Sequence, residues 1–69
     1  METENKFQIT LAAARVNAKM TQADVAREME TTIQTVLNWE HGRSEPTIGQ
    51  ARKLSNLFAV PLNHIFFKE

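Results

Sequence analysis

Two side-chain amides one helical turn apart, Gln34 and Asn38, are the residues of this 69-residue chain whose type and spacing point to a chemistry. An amide offers an acceptor and a donor in one plane, and that pair complements the exposed edge of adenine in the major groove of a duplex. Two amides also do no more than solvate the outer face of a helix, and their spacing leaves both readings open. Ile33 and Leu37, again four residues apart, lie on the flank of the same face, where an ordinary surface helix carries charge. They suit contact with thymine methyl groups. They equally suit packing on the end of the preceding helix, or simple exposure, which is common for single apolar residues.

For catalysis the sequence holds very little. There is no cysteine, and the two glycines, Gly42 and Gly49, form no phosphate-cradling loop. No nucleophile stands beside a base, and no paired carboxylates mark a cleft, so an enzyme is not expected. His41 and His64 stand alone, without a second histidine or a carboxylate pair at ligand spacing, and read as surface or boundary residues. No metal and no cofactor are implied.

The length permits one domain with one modest core, and without cysteine the core must be helix packed on helix. A chain of this size holds about 3 to 5 kcal/mol of net stability, so self-association or a partner is expected. Residues 1–6 read as a flexible polar tail, 7–67 as the domain and 68–69 as its end. The tail has no apolar run behind a basic patch and so does not read as a signal peptide. Nor does any stretch approach the roughly 20 apolar residues of a membrane span. A cytoplasmic protein without membrane contact is the expectation. The formal net charge is zero, which counts against a nucleic-acid partner, because phosphate neutralisation supplies most non-specific affinity. Placement matters more than the sum. Glu2, Glu4 and Glu69 fall near the ends, whereas Lys19, Arg27, Arg43, Arg52 and Lys53 fall within the domain.

The elements that position these residues follow from caps and periodicity. Phe7, Leu11, Ala14 and Ala18 recur at helical spacing and predict a first helix of about three turns ending near residues 17–19. Thr21 with Asp24 makes a capping box for a second helix, whose buried stripe is Val25, Ala26 and Met29. Thr32 caps a third, which runs through Trp39 and Glu40 to a stop at Gly42. So short a connection between the second and third helices predicts a crossed helix-turn-helix pair. On a wheel, Val36, Trp39 and Glu40 face one side of the third helix, and Gln34, Leu37 and Asn38 the other. Thr47 with Gln50 opens a fourth helix with Ile48, Ala51, Leu54, Leu57 and Phe58 inward. Pro61 starts a short fifth helix that returns Leu62, Ile65 and Phe66 to the core.

Thr21-Gln22, Val25-Ala26, Thr32, Val36, Trp39-Glu40-His41-Gly42-Arg43 and Glu45-Pro46-Thr47 together resemble the Cro/C1-type, or XRE-like, helix-turn-helix family over about residues 11–66. That resemblance implies an all-α, lambda-repressor-like fold of five short helices. Its third helix would lie in the major groove of double-stranded DNA, in a transcriptional regulator that represses more readily than it activates. It also implies that Arg15 pairs bidentately with Glu40 as a structural brace, and that Trp39 belongs to the core. Members commonly carry glycine where this chain has Lys19, Glu30 and Ala59. Those positions call for a left-handed backbone at a helix end, so each side chain there costs up to about 1 kcal/mol net, relative to glycine.

Within that frame Gln34, Asn38, Ile33 and Leu37 are the candidate base readers. Gln22, Thr21, Thr32, Thr35, Lys19, Arg43 and Thr47 are the candidate phosphate contacts, with Gln22 also bracing Gln34. The threonines are explained by capping alone, and the two cations by solvation alone, so those roles stay open beside the phosphate one. Leu62, Ile65 and Phe67 offer more apolar surface than a small core absorbs. They suggest a weak two-fold homodimer on a palindromic operator. A protein-interaction module on the same fold, without DNA, is the alternative that zero net charge favours.

Overall fold

The computed structural model describes residues 8–66. Phe7, on which the expected start of the first helix rested, and Phe67 lie outside them. Four α-helices follow in order: α1 Leu11–Asn17, α2 Gln22–Glu28, α3 Ile33–His41 and α4 Ile48–Phe58. A two-residue strand, β1 Ile9–Thr10, precedes α1; after α4 come a 3-10 turn, Leu62–His64, and a second strand, β2 Ile65–Phe66. The architecture is all-α in its weight, with a lambda-repressor-like arrangement around the central pair α2 and α3.

Each α-helix begins where a threonine accepts a backbone N–H three residues on: Thr10 from Ala13, Thr21 from Asp24, Thr32 from Thr35 and Thr47 from Gln50. At Thr21 and Thr47 the third residue returns the bond, giving the two reciprocal capping boxes. Each helix ends in a left-handed residue: Lys19 (φ 62°), Glu30 (φ 56°), Gly42 (φ 77°) and Ala59 (φ 57°). The next residue's N–H then reaches back to a carbonyl in the last turn. Thr31 donates to Ala26 at 2.8 Å, Arg43 to Asn38 at 2.9 Å, Val60 to Ser55 at 3.1 Å and Met20 to Arg15 at 3.2 Å. These are Schellman closures, the geometry that favours glycine. Only one of the four has it.

Leu11, Ala14, Val25, Ala26, Met29, Val36, Trp39, Leu54, Phe58 and Ile65 make the core, with Ile9, Ala18, Met20, Leu57 and Val60 packed against it. Three expectations are corrected. The first helix has two turns, because Thr10 caps it and Ile9 and Thr10 are extended. The fifth helix is replaced by one 3-10 turn, after which Ile65 pairs in parallel with Ile9 and Phe66 with Thr10. Ile9 and Ile65 are β-branched, a stiffness that favours this extended pairing over another helical turn. Ile48 points outward and is 69% exposed. It sits about a quarter-turn from the arc centred on Ala51, Leu54 and Phe58, at a first helical position with no element beside it. Leu57, equally far round on the other side, is half-buried.

Candidate nucleic-acid interface

The connection between α2 and α3 is only Met29 to Thr32, and it turns sharply because Glu30 adopts a left-handed backbone. Its N–H bonds Arg27 O at 3.2 Å, that of Thr31 bonds Ala26 O at 2.8 Å, and Thr32 immediately caps α3. Helix α3 is held from behind by Val36 and Trp39, both buried. One side of the helix is thereby fixed in the core, and the other is left for contact.

A polar clasp fixes its orientation. Glu40, on the last turn of α3, accepts from Arg15 Nε at 2.7 Å on Oε2 and from Gln22 Nε2 at 3.1 Å on Oε1. Arg15 Nη1 donates separately to Met20 O at 3.0 Å. One carboxylate thus ties α3 to α1 and α2. The Glu40 side chain is 5% exposed and that of Arg15 16%, so the pair is shielded from water, where a charge-assisted bond is strong and a broken one costly. The pair joins the two expected residues but is not bidentate: Nε alone bonds the carboxylate, and Nη1 goes to a backbone carbonyl. Gln22 is also corrected: its bonded partner is Glu40 and not Gln34. No local spacing announced that contact, because the two residues are eighteen positions apart.

On the outward face Gln34 is exposed and Asn38 half-buried. Gln34 Nε2 donates to Asn38 Oδ1 at 3.0 Å, and Arg43 Nη1 approaches the same oxygen at 3.5 Å. The ladder Gln34, Asn38, Arg43 was not foreseen as a unit. Its signal was present in the spacing, since glutamine and asparagine four apart on a helix face each other. Ile33 is 46% exposed at the start of α3, and Leu37 is half-buried. Lys19, Thr21, Thr32, Arg43 and Thr47 are exposed, while Gln22 and Thr35 are half-buried. The hydroxyls of Thr32 and Thr35 share a hydrogen bond of 3.0 Å. Arg43 thus joins the Gln34–Asn38 face, and Gln22 is drawn to the rear of α3.

Asp24, on α2, accepts from the Thr21 backbone N–H at 2.9 Å and pairs with Arg27 at 3.0 Å. The Thr21 N–H, then Arg27 and the Thr21 hydroxyl, hold its carboxyl below the ordinary aspartate value. Of the residues expected at a dimer contact, Leu62 is half-buried and Phe67 lies outside the described residues. Ile65 is corrected: at 6% exposure it belongs to the chain's own core, through its strand pairing with Ile9.

Among the described residues no helix is long and apolar enough to cross a membrane. Comparison with curated proteins and with solved structures gives no significant match. One family model, described as helix-turn-helix, matches residues 11–65, most of the chain.

Proposed function

Because the chain belongs to the Cro/C1-type helix-turn-helix family of DNA-binding regulators, which is not an enzyme family, we propose that it is a sequence-specific transcriptional repressor. In this reading α3 lies in the major groove of double-stranded DNA. The observation that carries it is the polar, solvent-facing ladder of Gln34 and Asn38 on a helix clamped from behind by Trp39 and by the Arg15–Glu40–Gln22 clasp. A reading helix must present donors and acceptors at fixed positions, and that clamp removes the freedom to drift.

In this proposal the hydrogen-bonded pair Gln34 and Asn38 is the unit turned toward the base edges, while Ile33 and Leu37 meet thymine methyl groups. Lys19 and Arg43 meet phosphates as cations, and Thr21, Gln22, Thr32, Thr35 and Thr47 as neutral donors. Gln22 retains one N–H after its bond to Glu40, which is the one available to a phosphate. A weak dimer through Leu62 and Phe67 would place two α3 helices on a palindromic operator.

Binding of duplex DNA followed across salt concentrations tests the proposal. Lys19 and Arg43 alone set a slope of log K against log salt of about −2 for each protomer. A flat dependence, with no retained affinity, would identify a protein-binding adaptor instead.

A further inference from the structure

We infer that Asn38 is a positioning residue, and that with Arg43 it sets Gln34 in the orientation that reads adenine. This inference rests on the DNA-reading proposal and names the base class at one position of the site.

A side-chain carbonyl has two lone pairs. Those of Asn38 Oδ1 meet two donors, Gln34 Nε2 at 3.0 Å and Arg43 Nη1 at 3.5 Å. The first is a directed hydrogen bond. The second is long, and acts mainly through the guanidinium charge beside the oxygen. Recognition of adenine by an amide needs the carbonyl to accept from N6 while the amide nitrogen donates to N7. With Oδ1 already accepting from Gln34 and drawn toward the Arg43 guanidinium, Asn38 is the poorer acceptor for adenine N6.

Gln34 is in the opposite situation. Its Nε2 carries two hydrogens, and the bond to Asn38 uses one. The other hydrogen and Oε1 have no partner among the described residues, and together they are the donor and acceptor that the adenine edge requires. The bond also fixes which way the amide faces. A free glutamine rotates its terminal group and offers donor and acceptor in either order, so it discriminates poorly; tethering Nε2 to Asn38 selects one order. Arg43 lies past the Gly42 stop of α3 and extends the tether to the loop, so a phosphate contact there would bear on base readout as well.

Selection of bound sequences from a random duplex pool, run in parallel on the full chain and its variants, tests this. The parent should enrich an adenine at one position of each half-site, and Gln34→Ala should lose it. Asn38→Ala should lose preference at that same position by roughly fivefold to a hundredfold. It should have no further effect in the Gln34→Ala background. Asn38→Asp keeps the acceptor without the donor and should retain the adenine preference, though with weaker overall binding. The Asn38 backbone carbonyl, which closes α3, is untouched in each variant. Relaxation by Asn38→Ala at a different position, with adenine still selected through Gln34, would overturn the inference and make Asn38 an independent reader. A parent that enriches no sequence at all would remove the DNA-reading proposal and this inference with it.

Discussion

Three of the four helix-ending left-handed positions carry a side chain, and replacing them with glycine should stabilise the domain. Lys19, Glu30 and Ala59 have φ of 62°, 56° and 57°, where a Cβ costs about 1 to 2 kcal/mol. Glycine removes that strain but adds about 0.4 to 1 kcal/mol of unfolded-state entropy. The net gain is about 0.5 to 1 kcal/mol at each position. The three side chains are exposed, and each closes a different helix, so their effects should add. The triple variant Lys19→Gly, Glu30→Gly, Ala59→Gly should therefore gain about 1.5 to 3 kcal/mol. In a domain of this length that raises Tm by about 10 to 20 °C. Thermal unfolding followed by far-UV circular dichroism, without DNA, reads the change directly. Gly42→Ala places the same strain at the one relaxed closure and should lower Tm. A triple variant that melts at or below the parent would refute the assignment of strain to these closures.

Glu40→Ala leaves Arg15 shielded without its counter-charge and Gln22 without an acceptor. It should destabilise by about 3 kcal/mol in a denaturant titration; a loss under 1 kcal/mol would mean the clasp contributes little. Ile48→Glu should be neutral or slightly stabilising in the same titration, since Ile48 is exposed and an acid in the first turn suits the helix dipole. A loss above about 1 kcal/mol would show that Ile48 is buried after all. The Asp24 carboxyl has a lower pKa folded than unfolded, so its stabilising contribution is complete above the unfolded value and disappears as pH falls through the folded one. The stability difference between the parent and Asp24→Asn should accordingly shrink below about pH 4. A difference that grows in acid would reverse the sign of the shift.

The starts of α2, α3 and α4 were legible because a threonine hydroxyl satisfies backbone amides locally, whereas the Thr10 cap of α1 was passed over for the apolar spacing from Phe7. The left-handed backbone at Lys19, Glu30 and Ala59 was legible only through the resemblance, since neither lysine, glutamate nor alanine signals it. The Arg15–Glu40 pair came from the same source, but the third member, Gln22, depends on how α2 lies against α3, which no short-range pattern encodes. The pairing of Ile9 with Ile65 joins the two ends of the domain, and two residues are too few to show a strand's alternation. Ile48 was misplaced because a hydrophobic residue at the first position of a helix fits the stripe in sequence while lying at its margin in space.

Whether the exposed side of α3 is the surface that meets duplex DNA is tested most directly by nuclear magnetic resonance of the side-chain amides of Gln34 and Asn38 during titration with a selected duplex. Both pairs of amide signals should shift as binding saturates, together with the backbone amides of residues 33–38, while the buried Trp39 indole changes little. Saturable binding that leaves the Gln34 and Asn38 signals in place would put the DNA on another face and contradict the central claim.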